Sequence, residues 1–304
     1  MTGEPFFSVV IPTYNRAELI VKTLETVFRQ SYKNFEVIVV DNCSTDNTDQ
    51  VLKPFIESGK IVFIKHDRNY ERAESRNTGM AAASGQFLTL LDSDDLMYEN
   101  NLKDAHAYIQ QNPDMHFFHN LYELVNEKGE PIYHYPFPSL RNPIKAIVKG
   151  NFISCIGVFM SEKVYEKYKF DTSIILQGIE DWELWLRILT EFKLGRIKKL
   201  NSGIVHHKGR SINQYELSAF IQKKDYVLEK MSFDSQLRTI YGPYKNEFGS
   251  SCYLLAASIA NGAGLYTESK VYLRAAFQIN KRLLLRRRFW RILQVAFWKS
   301  KSKI

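Results

Sequence analysis

The sequence contains few cysteines and no long hydrophobic segment. Its 304 residues include three cysteines, Cys43, Cys155 and Cys252, an odd number without the spacing of metal ligands. This usage gives no indication of a disulfide framework and favours a reducing compartment. No segment approaches the about 20 uncharged apolar residues of a membrane-spanning helix. No signal-peptide pattern precedes the strand-like run that begins near Phe6, so we expect a cytoplasmic protein.

Acidic residues are missing from the C-terminal part of the chain. From Lys270 onward the sequence has eleven Lys and Arg residues and no Asp or Glu. The formal net charge of the whole chain is +8, so the residues before Lys270 are net acidic. This distribution argues against a nucleic-acid-binding body and predicts an anionic partner for the C-terminal segment.

Short apolar segments alternate with helix-like segments in the N-terminal third of the chain. The segments predicted to be strands are Phe7–Ile11, Phe35–Val40, Ile61–Ile64 and Phe87–Leu91. Between them, helices are predicted over Ala17–Gln30, Asp46–Glu57 and Glu71–Ala83. Strands that are apolar on both faces are typical of a parallel sheet covered by helices. The βαβ order therefore predicts an open, Rossmann-like α/β sheet.

Polar clusters follow all four predicted strands. They are Pro12–Arg16, Asp41–Asp46, His66–Asn69 and Asp92–Asp95. Because a sheet of this kind binds its ligands at the carboxyl ends of the strands, we expect these clusters to form a single site.

The rest of the chain is less regular and ends in helices. The pattern predicts a hairpin over Phe117–Tyr135, a short helix over Arg141–Lys149 and a strand over Ile153–Met160. It then predicts an amphipathic helix over Glu180–Glu191 and a last strand over Ile204–His207. From Asn213 onward only helices are predicted, including an antiparallel pair over Gly249–Gly262 and Tyr266–Asn280. We therefore predict an α/β domain over residues 1–212, with a nucleotide- and metal-binding half at 1–112 and an acceptor half at 113–212, and a helical region over 213–304.

Two acidic clusters carry most of the functional information. Asp92, Asp94 and Asp95 end an apolar run, and Glu180-Asp181 opens the amphipathic segment. Closely spaced carboxylates repel one another unless a cation lies among them. A hard divalent ion held by aspartates usually takes substrate phosphates as further ligands. Helix capping would explain one of the three aspartates but hardly all of them, so the pattern favours transfer chemistry on a phosphate-bearing donor.

Five motifs stand in one order along the chain: Ser8–Arg16 (SVVIPTYNR), Val39–Asp46 (VVDNCSTD), Arg76–Gly79 (RNTG), Leu91–Asp95 (LDSDD) and Glu180–Trp182 (EDW). Together they resemble the inverting nucleotide-sugar transferases of glycosyltransferase family 2 over roughly residues 6–212. The resemblance implies the GT-A fold, a mixed, mainly parallel α/β sheet flanked by helices, followed here by an α-helical C-terminal region. It also implies a divalent metal cofactor, Mn²⁺ or Mg²⁺.

The resemblance assigns roles to individual residues. The nucleotide- and substrate-binding candidates are Pro12, Thr13, Tyr14, Asn15, Arg16, Asp41, Arg76, Asp92, Asp94, Glu180 and Trp182; the metal candidates are Asp94, Asp95 and His207; and Asp181 is the general base. His207 opens a loop similar to the family's His-x-Gly-Ser loop, with one residue inserted. The alternatives are helix capping for Thr13–Asn15, a surface position for Arg76, a core position for Trp182 and a structural role for His207.

The function implied by the resemblance is transfer of a sugar, with inversion, from a nucleoside-diphosphate donor to a hydroxyl of a glycan or lipid-linked acceptor. A UDP-sugar is the expected donor, and synthesis of a bacterial surface polysaccharide is the expected context. A catalytically silent scaffold acting through its helical tail is the first alternative, but it would not need Asp94, Asp95 and Asp181 together. The second is an aspartyl-phosphate-type phosphohydrolase, which would carry its Asp-x-Asp motif after the first strand rather than the fourth.

A basic amphipathic helix is predicted over Lys281–Lys303. At helical spacing one face is apolar and contains Leu285, Phe289, Ile292, Leu293 and Ala296. Trp290 and Phe297 flank this face, and Arg287, Arg288 and Arg291 lie opposite it. Such a helix suits an anionic membrane surface, which predicts a peripheral protein on the inner face of the cell membrane. The alternative is a helix that docks on its own domain or on a second subunit.

Overall fold

The computed structural model describes residues 4–207 and 217–301. The chain divides into two compact units, Met1–Leu140 with Ile153–Arg210 and Arg141–Phe152 with Ser211–Ile304. The predicted domain boundary near Ser211–Tyr215 lies outside the described residues, so the limits 1–212 and 213–304 stay a prediction. Arg141–Phe152, which the prediction includes in the acceptor half, groups with the C-terminal unit.

The first unit alternates strands and helices. Its strands are β1 (Phe7–Thr13), β2 (Phe35–Asp41), β3 (Val62–Lys65), β4 (Phe87–Leu90), β5 (Leu96–Met97), β6 (Phe117–Val125), β7 (Pro131–His134), β8 (Val158–Ser161) and β9 (Leu194–Val205). Its helices are α1 (Ala17–Phe28), α2 (Thr48–Glu57), α3 (Glu71–Ala82), α4 (Asn101–Gln111), α6 (Glu162–Tyr165) and α7 (Glu180–Ile188), with a 3₁₀ turn at Ile174–Leu176; α5 (Pro143–Ile147) belongs to the second unit.

The described strands form one mixed sheet in the order β3-β2-β1-β4-β8-β6-β9-β5, with β7 paired to β6. The first four strands are parallel, β8 is antiparallel to both of its neighbours, and β6 is parallel to β9. The carboxyl ends of β1 to β4 therefore lie at one edge of the sheet, where ligands bind in open α/β folds. β5 is antiparallel to β9, with Leu96 opposite Gly203, so the residues after the acidic motif lie beside the end of β9.

β1 is buried because apolar side chains predominate on both of its faces. All 7 residues of β1 are buried, and Val9 and Ile11 share a core with Ile20 and Leu24 of α1. α3 covers the sheet at Gly79, where an added Cβ would lie 2.3 Å from Cγ1 of Val10. Glycine at this position therefore allows α3 to approach β1 closely, which fixes where the side chains of α3 lie.

Two strand limits in the second half of the unit differ from the prediction. β9 begins at Leu194 rather than near Ile204, and its middle residues, 198–200, are exposed. Lys198 and Lys199 on the exposed stretch interrupt the apolar pattern by which a strand is recognised. The predicted strand Ile153–Met160 is also shorter, because Ile156 forms only an isolated bridge with Leu90 before β8 begins.

The second unit is helical. Besides α5 it contains α8 (Leu217–Phe233), α9 (Ser235–Tyr241), α10 (Lys245–Gly262), α11 (Tyr266–Ile279) and α12 (Arg287–Lys301), with 3₁₀ turns at Gly242–Tyr244 and Lys281–Leu285. The predicted antiparallel pair corresponds to α10 and α11. In the part of the chain that the structure describes, no helix has both the length and the apolar character of a membrane span.

The apolar face predicted for the tail is used in packing. Phe289, Ile292 and Ala296 are buried against a cluster that includes Leu254 of α10 and Leu273 of α11. Leu285, which the prediction placed on this face, is instead 87% exposed, because α12 begins only at Arg287. The apolar side that was predicted to face the membrane is therefore packed against α10 and α11, as in the alternative in which the helix docks on its own domain.

Candidate active site

The loops that follow β1 and β2 are joined by side-chain hydrogen bonds. Asn15 Oδ1 accepts a hydrogen bond from the Thr45 backbone N at 2.8 Å, and the Asn15 backbone N donates to Ser44 Oγ at 2.9 Å. Asp41 is fully buried, and its carboxylate accepts bonds from the Ser44 backbone N at 3.2 Å. Asn15 therefore bridges the two loops. The N-cap residue of α1 is Arg16, and its side chain makes no capping hydrogen bond.

Three non-glycine residues in the described ranges have left-handed backbone conformations. They are Asn15 (φ 51°), Cys43 (φ 65°) and Glu71 (φ 70°). Such conformations cost about 1–3 kcal/mol each and persist where surrounding contacts fix them. Because these residues follow β1, β2 and β3 in turn, the strain marks the carboxyl edge of the sheet as a candidate ligand site.

The remaining predicted residues of the first loop have different exposures. Pro12 and Thr13 are buried within β1, where Thr13 lies in register with Asp41. Oγ1 of Thr13 is buried and makes no hydrogen bond to the described residues. Tyr14 is 41% exposed, so its ring is accessible to a ligand at this edge.

Two residues at the end of β3 join this site, although sequence reasoning gave them no role. Nζ of Lys65 lies 3.9 Å from Oδ2 of Asp41. The His66 ring lies 3.0 Å from Oδ1 of Asn42 through Nδ1 and 3.0 Å from Oγ1 of Thr78 through Nε2. His66 opens the polar cluster that follows the third predicted strand, which was the signal for it, whereas Lys65 lies just before that cluster.

Asp94 lies between a histidine and an arginine. Nε2 of His207 lies 2.9 Å from Oδ2 of Asp94, and Nε of Arg16 lies 3.5 Å from the same oxygen. These side chains come from the loop after β1, the loop after β4 and the residues after β9. The structure thus brings together three of the residues that the sequence assigned to one site.

Asp95 has a different position. It is 1% exposed, and its Oδ1 accepts a hydrogen bond from the Val205 backbone N at 2.9 Å. Among the described residues, no group of three His, Cys, Asp or Glu side chains is arranged to hold a metal ion. Asp95, predicted to be a metal ligand with Asp94 and His207, anchors the end of β9 through this bond, and its role as a metal ligand stays a prediction.

The pair of Asp94 and His207 fits a divalent ion that takes only some of its ligands from protein. Carboxylate oxygens suit Mg²⁺ and Mn²⁺, and Mg²⁺ is usually bound by one or two carboxylates together with waters and substrate phosphates. Arg16, beside Asp94, can donate hydrogen bonds to phosphate oxygens. The rest of the predicted loop, residues 208–211, lies outside the described residues.

Arg76 of α3 connects both acidic clusters. Its Nη1 donates to Oε1 of Glu180 at 2.9 Å, and its Nη2 donates to Oδ1 of Asp92 at 2.8 Å. Arg76 is 2% exposed, so the surface alternative is wrong. Burial raises the pKa of the nearby Cys155 thiol well above its ordinary value; Arg76 acts to lower it, and the carboxylates of Asp181, Asp92 and Glu180 raise it further.

The start of α7 places two adjacent acids differently. Glu180 is buried, and its carboxylate accepts hydrogen bonds from Arg76 and from the Gly178 backbone N. Asp181 is partly exposed, and its Oδ1 accepts a bond from the Trp182 backbone N at 2.7 Å. Trp182 is 2% exposed, which agrees with the alternative that it is a core side chain.

Aromatic side chains of the predicted acceptor half lie near Asp181. Burial raises the pKa of Tyr122, and Tyr135 and Asp181 raise it further. The Tyr122 ring lies 4.9 Å from that of Tyr135 and 5.0 Å from that of Phe137. Asp181 is therefore the acid of α7 that is both partly exposed and close to this aromatic group.

A mixed sheet of this order, flanked by helices and with carboxylates at its ligand edge, has the architecture of the GT-A fold. The chain belongs to glycosyltransferase family 2, because the model named Glycosyl transferase family 2 matches residues 8–168, more than half of the chain. The matched region contains the acidic motif after β4 but ends before Glu180 and Asp181.

Curated relatives include characterised and uncharacterised glycosyltransferases. The UDP-Glc:alpha-D-GlcNAc-diphosphoundecaprenol beta-1,3-glucosyltransferase WfgD of Escherichia coli is 28% identical over 212 residues, 70% of this chain and 79% of that protein. The putative colanic acid biosynthesis glycosyl transferase WcaA of Escherichia coli K12 is 26% identical over 279 residues, 87% of this chain and 98% of that protein. An uncharacterised glycosyltransferase of Rickettsia felis is 31% identical over 194 residues, which are 63% of this chain but 31% of that protein. The chain thus spans about a third of the length of this relative.

Solved structures share the fold. S. aureus TarS 1–349 in complex with UDP-GlcNAc has a TM-score of 0.68 and 19% identity, covering 90% of this chain and 81% of that chain. The mannosyltransferase PcManGT from Pyrobaculum calidifontis in complex with GDP-Man and Mn²⁺ has a TM-score of 0.62 and 18% identity, covering 97% and 86%. At these identities the likeness concerns the fold.

Proposed function

We propose that this chain is a metal-dependent, inverting glycosyltransferase that moves a sugar from a nucleoside-diphosphate donor to a hydroxyl of a glycan or lipid-linked acceptor. The observation that carries the proposal is the Arg76 ion-pair network, which joins Asp92 after β4 to Glu180 at the start of α7. The network supports one site containing both the donor-side carboxylates and the neighbour of the proposed base.

The donor side is proposed to lie at the edge formed by β1, β2 and β4. Tyr14, Asp41 and the bridged loops around Asn15 would bind the nucleoside. Asp94 and His207 would hold the divalent ion, which when bound neutralises charge on the leaving diphosphate. Arg16 would donate hydrogen bonds to phosphate oxygens beside it. Asp95 contributes by holding the end of β9, and so His207, in place.

Asp181 is proposed to be the general base. In a single displacement, one base removes the proton of the acceptor hydroxyl as this oxygen attacks the anomeric carbon. Glu180 is buried and paired with Arg76, whereas Asp181 is partly exposed and lies near the aromatic group of Tyr122. These differences support assigning proton transfer to Asp181 and a positioning role to Glu180.

The expected donor is a UDP-sugar, and the expected context is synthesis of a bacterial surface polysaccharide. Two relatives support this choice, since one is named a UDP-Glc:alpha-D-GlcNAc-diphosphoundecaprenol beta-1,3-glucosyltransferase and another a putative colanic acid biosynthesis glycosyl transferase. A solved neighbour holds UDP-GlcNAc, but another holds GDP-Man. Titration with several nucleoside diphosphates distinguishes these donors.

We also propose that the chain works at the inner face of the cell membrane, bound to anionic lipid through its tail. The exposed side of α12 presents Trp290, Phe297 and Trp298 together with Arg287 and Arg291, and Nζ of Lys270 lies 4.6 Å from the centre of the Phe297 ring. Leu284 and Leu285 are exposed just before this helix. Aromatic and cationic side chains on one surface favour the interface of an anionic bilayer.

Calorimetric titration with UDP, GDP, CDP and dTDP, each with and without Mn²⁺, tests the donor site. We expect one nucleotide to bind much more tightly in the presence of Mn²⁺. Transfer from the matching sugar nucleotide, followed by NMR of the product, then tests inversion at the anomeric carbon. Equal binding with and without the ion would contradict metal dependence, and a retained configuration would contradict the single displacement.

A further inference from the structure

One side of α3 holds the segment that leads into α7. Asn77 makes two hydrogen bonds to the backbone of Phe170, from Nδ2 to O at 2.9 Å and from the Phe170 backbone N to Oδ1 at 2.8 Å. Glu71 Oε2 accepts a bond from Nε2 of Gln177 at 2.8 Å. Side chains of α3 therefore hold the backbone at residue 170 and the side chain at residue 177 in place.

Arg76 lies on the same helix and reaches further than these side chains. Its planar guanidinium donates from two nitrogens to two carboxylates that are separated by 88 positions in the sequence, Asp92 and Glu180. Asp92 belongs to the acidic motif after β4, and Glu180 is the first residue of α7. The close approach of α3 to β1 at Gly79 fixes the helix that carries this guanidinium.

The pairs are buried to different degrees, and this affects how freely the carboxylates can move. Arg76 and Glu180 are almost completely buried, with side-chain exposures of 2% and 4%, whereas Asp92 is 29% exposed. A buried ion pair separates only with a large penalty, because the remaining charge is left without its partner. Glu180 therefore stays with Arg76, while Asp92 is open to a ligand on one side.

We propose that Arg76 is a positioning residue that fixes the start of α7, and with it Asp181, relative to the donor-side carboxylate Asp92. This inference rests on the proposed function of Asp181 as the base. It replaces the role that the sequence suggested for Arg76, direct contact with the nucleotide. Arginine suits the role because its rigid fork binds two partners at once, whereas the ammonium of lysine is a single point charge.

Arg76→Lys and Arg76→Ala test the proposal in the full chain. For donor transfer we use whichever of UDP-glucose, UDP-N-acetylglucosamine and GDP-mannose the wild type turns over fastest. We expect kcat to fall by about a hundredfold, the effect of misplacing a catalytic group by about an ångström. Binding of the matching nucleoside diphosphate with Mn²⁺ should stay close to the wild-type value. Added guanidine should restore part of kcat in Arg76→Ala.

Hydrogen exchange separates failure of this inference from failure of the proposed function, because it needs no turnover. Amides at the start of α7 should exchange faster in Arg76→Lys than in the wild type. Arg187→Gln is the matched control. Arg187 lies further along α7 and pairs with Glu183, and none of its described contacts is to Asp92 or Glu180. It should lower thermal stability without the large fall in kcat.

Two results would overturn the proposal. Nucleotide affinity that falls in parallel with kcat would mean that Arg76 contacts the donor itself. Unchanged exchange at the start of α7 in Arg76→Lys would mean that the arginine does not position this helix, whether or not the chain is active. A wild type that transfers none of the sugars, combined with faster exchange in the variant, would refute the proposed function while supporting the structural role of Arg76.

Discussion

Nε2 of His207 lies 2.9 Å from Oδ2 of Asp94, although 113 positions separate the two residues in the sequence. The sheet accounts for this proximity. β5 follows the acidic motif directly and is antiparallel to the end of β9, while Asp95 binds the Val205 backbone N. The last residue of β9 is thus fixed beside the acidic motif, and His207 follows it by two positions.

Asp94→Ala should remove most of the metal-dependent affinity for a nucleoside diphosphate. The carboxylate is the shared partner of His207 and Arg16, so its loss removes an oxygen ligand and separates the two side chains. Calorimetry with UDP and Mn²⁺ measures the change. Asp114→Ala, which replaces an exposed acid elsewhere in the first unit, is the control. Equal binding by the Asp94 variant and this control would remove Asp94 from the metal site.

The adjacent residues His206 and His207 form a matched pair of substitutions. His207 is 8% exposed and contacts Asp94, whereas His206 is exposed and is held by its backbone N. We expect His207→Ala to weaken binding of UDP with Mn²⁺ and to leave binding without the ion nearly unchanged. His206→Ala should behave like the wild type in both titrations. If the two variants are indistinguishable, His207 has a structural role only.

Asp181→Asn should slow sugar transfer while preserving donor binding. The amide keeps the size of the side chain and can still accept a hydrogen bond from the Trp182 backbone N, but it cannot take a proton. Positioned base catalysis contributes about 10²–10⁴-fold, so a fall in kcat of this order is expected. Steady-state kinetics and nucleotide titration of the same preparation measure both quantities. Turnover near the wild-type rate would assign the base elsewhere.

The sequence predicts the donor-side edge better than the second half of the unit for a physical reason. β1, β4 and most of β2 are buried on both faces, so each appears as a nearly continuous apolar run ending in a polar cluster, and the partly exposed β3 is a short apolar run of the same kind. β9 is exposed at residues 198–200, and its pairing with β6 involves residues far away in the chain. The roles of Arg76 and Asp95 depend on such long-range contacts, so the motifs indicated their place in the site but not their partners.

Asp46 accepts hydrogen bonds at the starts of two helices, and these contacts predict an effect on stability. Its Oδ2 accepts a bond from the Ala17 backbone N at 3.1 Å, and its Oδ1 accepts one from the Thr48 backbone N at 3.0 Å. Burial acts to raise the pKa of Asp46, but the hydrogen bonds from Thr48 and Ala17 outweigh it and lower the pKa below 3.8. The charged carboxylate therefore stabilises the starts of α1 and α2.

Asp46→Asn should lower the free energy of unfolding by about 1 kcal/mol near neutral pH, as loss of a helix cap usually does. Because the pKa is lowered in the folded state, this stabilisation is present above the ordinary aspartate pKa and is lost as the pH falls through the folded value. Denaturant unfolding at several pH values should show the wild type and the variant converging in acid. A difference that is constant with pH would assign the effect to packing, not charge.

The last prediction concerns the exposed side of the tail. Deleting residues 281–304 would be a poor test of membrane binding, because Phe289, Ile292 and Ala296 pack in the core of the second unit. Substituting Leu285, Trp290 and Trp298 with Ser changes only exposed side chains, which are 87%, 51% and 73% exposed. We expect this triple variant to keep its fold and its transfer activity but to sediment much less with vesicles that contain anionic lipid.

Salt separates the two contributions to this binding. Each basic residue near an anionic surface contributes about 1 kcal/mol, and salt screens this attraction, whereas apolar contact persists. Wild-type binding should therefore weaken with salt, and the triple variant should retain only a salt-sensitive remainder from Arg287 and Arg291. Phe233→Ser, at a side chain that is 80% exposed on α8 in the same unit, is the matched control and should bind vesicles like the wild type. Equal sedimentation of the triple variant and this control would show that the aromatic side of α12 does not contact the bilayer.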